Sequence, residues 1–209
     1  MVIVIILNFG GIMKHLIIII SAVLLLGTLP GCGAMVQSND YMTVAKPEVA
    51  QTPTEGKALL IFERENNHVG SFHNMSIWDI TDRTSVEFIG LLAPTMKASY
   101  SVKPGTYSFM AIHGGGRTIM HAGISANKTY YIMPSFGLSG LRFIPIKAGQ
   151  DNPMTNKKIG VPNQTAITYS QKDATKNSVQ IHISKGLVQW SALSNDEKYK
   201  RTIEPGDGR

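Results

Sequence analysis

The chain has 209 residues, a formal net charge of +6, 16% charged residues and a single cysteine. One cysteine excludes an intrachain disulfide, so the fold must stand on an apolar core, and the length suits one domain with a smaller appendage. Positive charge is spread thinly, with Lys157-Lys158 and Lys198-Tyr199-Lys200-Arg201 as its densest groups. No nucleic-acid partner is expected, because a phosphate backbone calls for a dense basic patch.

From Met13 the chain reads Lys14-His15, an apolar run over Leu16 to Leu26, and a break at Gly27-Thr28. The run falls short of the roughly 20 apolar residues of a membrane span and has the flanks of a signal peptide. Leu29-Pro30-Gly31-Cys32 then resembles a bacterial lipobox. That resemblance implies diacylglycerol on Cys32, cleavage before it, and attachment to a membrane through that lipid. Lipidation also accounts for a thiol that would otherwise be left over in a secreted chain. Met13 is read as the start, since Met1 to Ile12 carries no charge. Removing residues 1–31 leaves 178 residues and, with Lys14 lost, a net charge of +5. Gly33 rather than Asp follows the cysteine, which the lipoprotein resemblance ties to the outer membrane over the inner.

Residues 32–56 are expected to form the lipidated cysteine and a flexible tether, polar with Pro and Thr and without a clear period. A β-sandwich domain is predicted over 57–148. Ala58-Leu59-Leu60-Ile61-Phe62 reads as a buried strand and Met75 to Ile80 as another, with Trp78 as a core anchor. After the turn at Thr81-Asp82-Arg83-Thr84, a strand is expected at Val86 to Leu91 and a half-buried one at Lys97 to Val102. Lys103-Pro104-Gly105-Thr106 has the residues of a type II turn, with Gly at the position of positive φ. Alternating strands follow at Thr106 to His113, Thr118 to Ile124 and Thr129 to Met133, and Pro145 puts Leu141 to Lys147 near an edge. About eight short strands argue for a mostly β fold, a single β-sandwich.

The order Ala58-Leu59-Leu60-Ile61-Phe62, Val102-Lys103-Pro104-Gly105-Thr106-Tyr107 and Ile124-Ser125-Ala126-Asn127-Lys128-Thr129-Tyr130-Tyr131-Ile132 resembles a family of bacterial lipoproteins. That family carries a domain of unknown function with a PEGA-like or transthyretin-like β-sandwich. The resemblance covers about residues 57–135 and implies a fold and an address, with no catalytic residues to carry over. Asn127-Lys128 stands where the family usually has Gly.

Residues 149–209 are expected to form a loop and a small C-terminal helical appendage packed on the sandwich. Val179, Ile181 and Ile183 alternate like a strand, while Val179, Ile183 and Leu187 match a helical face broken by Gly186. Ser191 to Arg201 reads as a short helix with Ser194 as N-cap and Glu197 three residues on. Trp190 is expected to pack the appendage onto the sheet, and Glu204 to Arg209 to fray.

Histidine is the one tempting chemical set: His68, His73, His113, His121 and His182. His113 and His121 flank Gly114-Gly115-Gly116-Arg117 and are candidates to approach each other on one hairpin, imidazole being a common zinc or copper ligand. No HExxH, P-loop or GxSxG motif occurs, and no cofactor is expected. Tyr130 and Tyr131 must point to opposite faces, so one is exposed or lies under the appendage. The sequence therefore predicts a lipid-anchored bacterial envelope protein that is not an enzyme, acting through contacts with an envelope protein or polysaccharide. Its site residues are Cys32 for lipidation and His113, Arg117, His121 and Tyr131 for binding. The alternatives are a glycan or small-ligand module using the 113–117 loop and a metal-dependent enzyme around His113 and His121.

Overall fold

Ala58-Leu59-Leu60-Ile61-Phe62 lies in the interior of a six-stranded sheet. The computed structural model describes residues 42–44, 52–65, 73–137, 140–151, 163–166 and 177–209, all within the compact unit Val36–Arg209. Among them are eleven strands: β1 (Met42–Val44), β2 (Ala58–Glu63), β3 (Met75–Asp79), β4 (Glu87–Leu92), β5 (Lys97–Val102), β6 (Gly105–His113), β7 (Gly116–Ile124), β8 (Thr129–Gly137), β9 (Gly140–Pro145), β10 (Asn163–Ala166) and β11 (Thr202–Ile203). Two helices, α1 (Asn177–Ser191) and α2 (Asn195–Lys200), and a short 3-10 turn at Pro205–Asp207 complete the described part. None of these helices is long and apolar enough to cross a membrane.

One sheet runs β1-β10-β5-β2-β8-β9 and the other β11-β7-β6-β3-β4. The protein is mostly β, as the short alternating strands predict. Side chains alternate across a strand, so β2 sends Ala58, Leu60 and Phe62 into the space between the sheets. There they meet Ile77, Phe109, Ala111 and Met120 of the other sheet. The Phe62 ring packs edge-on to Phe109 at 5.5 Å and lies 6.3 Å from Phe143. Leu59 and Ile61 on the other face of β2 are buried too, which is why this strand reads as a continuous apolar run.

The five-stranded sheet is a middle layer. Trp78, Ile80, Met110 and Ile119 face away from the sandwich core and form a second cluster with Val179 and Ile183 of α1. Leu187 and Trp190 continue the same helix face. The helical period therefore prevails over the strand-like alternation of Val179, Ile181 and Ile183, because only a helix brings Val179, Ile183, Leu187 and Trp190 to one side. Gly186 sits inside α1 without breaking it. A Cβ there would lie 3.0 Å from Ile119 Cδ1, so the missing side chain lets the helix seat closely on β7. α2 begins as the sequence predicts: Ser194 Oγ accepts the Glu197 N–H at 3.2 Å.

Four expectations need correction. First, residues 32–56 are not all tether: β1 pairs antiparallel with β10 from Met42↔Ala166 to Val44↔Gln164, and Met42 is buried. Gly90 makes the room, since a Cβ there would be 2.8 Å from Met42 Cε. Further along, Gly56 N–H donates to Asn127 Oδ1 at 2.8 Å. Second, the strand count exceeds eight because β1, β10 and β11, each of two to four residues, exist only through distant partners. Third, Gly105 has φ +156° and is already the first residue of β6, far from the roughly +80° of a type II turn.

Fourth, Glu204 to Arg209 does not fray. Arg209 N–H donates to Thr129 O at 3.0 Å and Thr129 N–H to Arg209 O at 2.8 Å. Tyr130, fully buried, donates its hydroxyl to Pro205 O at 3.1 Å, and Asp207 pairs with Lys147 at 3.1 Å. Asn127 adopts φ +58°. Asn is among the few residues that tolerate this left-handed region, and its N–H donates to Lys57 O at 2.7 Å.

Candidate functional site

The structure disperses the residues that the sequence groups together. The hairpin β6–β7 pairs His113 with Gly116 and Ser108 with His121. Cross-strand partners share a face, so even positions of β7 share the face of odd positions of β6, and His121 lies opposite to His113. His113 is buried, its ring 4.6 Å from Phe136 and 5.9 Å from His73. His121 instead faces α1, with Nδ1 2.8 Å from Ser108 Oγ and its ring 4.6 Å from Trp190. The expected approach of the two imidazoles does not occur. His68 and Cys32 lie outside the described residues. Among the described residues no three His, Cys, Asp or Glu side chains come close enough to hold a metal ion.

Tyr131 is also apart from the hairpin tip. It pairs with Ile61 in the middle of its sheet, and the Arg209 guanidinium lies over its ring at 6.0 Å. The aromatic neighbour of His113 is Phe136, further along β8. Tyr130 takes the inner face, accepting the Ser125 N–H at 2.9 Å.

A carboxylate pair escaped the reading of the sequence. Asp79 of β3 stands directly across from Glu87 of β4, and both accept from the hydroxyl of Tyr100, at 3.1 and 2.8 Å. Tyr100 belongs to the other sheet, so its single hydroxyl proton ties the two layers together. Burial, then the charge of Asp79, raises the phenol well above its ordinary value, which keeps it a donor. The signal was present: counting outward from Arg83 in the turn pairs position 79 with 87.

Arg117 points to the α1 side of β7, with its Cγ against Gly186. Its guanidinium donates to Gly115 O through Nη2, while the buried Nε has no partner. His182 of α1 also buries an unpartnered Nδ1. Desolvation, then the charges of Arg117 and Lys185, pushes the His182 imidazole below its ordinary value. No described carboxylate pairs with Arg117, His182 or Lys185. The sequence singles out Arg117 but not its neighbours, because α1 meets β7 only in the folded chain. Arg117 and Lys185 flank His182, whose proton they disfavour, and form a basic seam without an internal counter-charge, suited to contact with an anionic surface.

Burial and the charge of Arg83 hold His121 below its ordinary value, against the opposing effect of a backbone bond to Tyr107. The folded protein then binds this proton less readily than the unfolded chain, so the unfolded chain holds more protons below about pH 6.5. Stability is expected to decline as pH falls through that value and to level off below the folded-state pKa. Urea unfolding of the protein and of His121→Gln between pH 7.5 and about 5 checks this. The variant should show a flatter decline, and an unchanged slope would refute the assignment.

Comparison with protein-family models, with curated proteins and with solved structures finds no match for this chain.

Proposed function

We propose that the chain is a lipid-anchored bacterial envelope protein, acting without catalysis through contacts of its sandwich with envelope proteins or polysaccharide. The observation that carries this reading is Cys32: the only cysteine stands at the end of Leu29-Pro30-Gly31-Cys32, directly after a short apolar run behind Lys14. The resemblance of residues 57–135 to lipoproteins with a PEGA-like or transthyretin-like domain supports the same address, with the outer membrane favoured by Gly33. The metal-dependent alternative is less favoured, since His113 and His121 face opposite sides of the hairpin. A glycan site built from Tyr131 and Arg117 is less favoured too, since Phe136 and not Tyr131 is the β8 ring beside His113.

Metabolic labelling with a fatty acid in bacteria expressing the full chain tests the anchor. The protein should carry label and sediment with membranes, and Cys32→Ala should lose the label entirely. Label retained in Cys32→Ala, or absent from the unmodified chain, would overturn the reading.

A further inference from the structure

We propose that the outer side of α1, together with Arg117 of β7, docks on a bilayer surface containing anionic phospholipid. The inference rests on the anchored reading above and names the partner of this face. The inner side of α1 is fully used by Val179, Ile183, Leu187 and Trp190. Its outer side carries Ile181, 51% exposed, and Val188, 69% exposed. Seven residues is two helical turns, so these two aliphatic side chains project from the same stripe. Lys185 lies between them, and His182 stands one turn back on the flank that leads to Arg117.

Charge selects the occupant. The fifteen residues of α1 contain no acidic side chain. The two cations of this face, Lys185 and Arg117, have no described carboxylate partner. An aliphatic stripe bordered by the cations Lys185 and Arg117 is the pattern of a helix lying at an anionic lipid interface: aliphatic groups enter below the headgroups and the two cations meet phosphates. A protein partner would need a matching acidic surface; a lipid surface supplies that charge wherever the helix lands. Chain length permits the contact. Ten residue-to-residue steps lead from Cys32 to Met42, where β1 begins, and even fully extended they span at most about 35 Å. A domain held by lipid on Cys32 therefore stays within one domain diameter of the membrane.

The test uses the full chain purified with its lipid and reconstituted into phosphatidylcholine vesicles with or without phosphatidylglycerol. A polarity-sensitive fluorophore is placed at Val188→Cys, or at Arg142→Cys on exposed β9 as the reference position. Flotation reads the anchor and the fluorophore reads the docking, so failure of one is distinguishable from failure of the other. Docking predicts a blue shift and quenching by lipid-borne quenchers at position 188 in phosphatidylglycerol vesicles, and water-like emission at 142. Lys185→Gln should weaken the docked state about fivefold, the effect of one cation near an anionic surface. Floating protein with water-like emission at 188, or equal shifts with and without phosphatidylglycerol, would overturn the proposal. A shift at 188 that rises with protein concentration in the absence of vesicles would overturn it too, identifying a second copy of the chain as the occupant.

Discussion

Replacing Phe62 by alanine is expected to destabilise the protein by about 3–5 kcal/mol. Phe62 is fully buried at the centre of the six-stranded sheet and meets Phe109 and Phe143 from across the core and from β9. Truncation removes the transfer energy of a large ring and leaves a cavity that two sheets tied at both ends close only in part. For a domain of this size, each kcal/mol lowers the melting temperature by about 2–4 °C, so a loss on the order of 10 °C is expected. Phe62→Leu should retain most of that stability. A change below about 1 kcal/mol for the alanine variant would mean that the ring does not bridge the two sheets.

Deleting Glu204 to Arg209 is expected to cost about 3 kcal/mol, since removing a partner from a buried polar group costs about 1–3 kcal/mol. The deletion takes away the Pro205 acceptor of Tyr130, the Asp207 partner of Lys147 and both backbone bonds between Arg209 and Thr129. Water entering the opened end compensates part of this, which holds the figure below a simple sum. Gly208→Ala probes the same strap more finely. A Cβ at position 208 would lie 2.7 Å from both Lys128 Cβ and Tyr130 Cζ, and neither atom is the free end of a flexible chain. Overpacking of this kind costs about 1–3 kcal/mol. Chemical denaturation of both variants measures the effect, and unchanged midpoints would show that the strap is not held.

A continuous apolar run made β2 readable, and alternation with turn residues between made β3 through β9 so, because each of these strands buries at least one face. Met110 and Ile112 of β6 face outward under the C-terminal appendage, which Trp190 packs onto the sheet as the sequence predicts. The cover is α1, whose Val179 and Ile183 satisfy both periods until Leu187 and Trp190 are added. β1, β10 and β11 were illegible for a different reason: segments of two to four residues carry no period, and pairing with distant partners alone makes them strands. For the candidate site, the decisive fact was parity. Any even-length loop between β6 and β7 puts His113 and His121 on opposite faces, so their separation was open to inspection. The Arg117–His182 seam was not, since it depends on how a distant helix docks.

Pairing of β1 with β10 has a mechanical consequence for a chain pulled from Cys32. Such a load falls on β1, an edge strand of three residues whose Met42 is seated in the core against Gly90. Peeling β1 from β10 therefore withdraws an apolar side chain from between the sheets, so the strand is held by burial of Met42 as well as by its pairing.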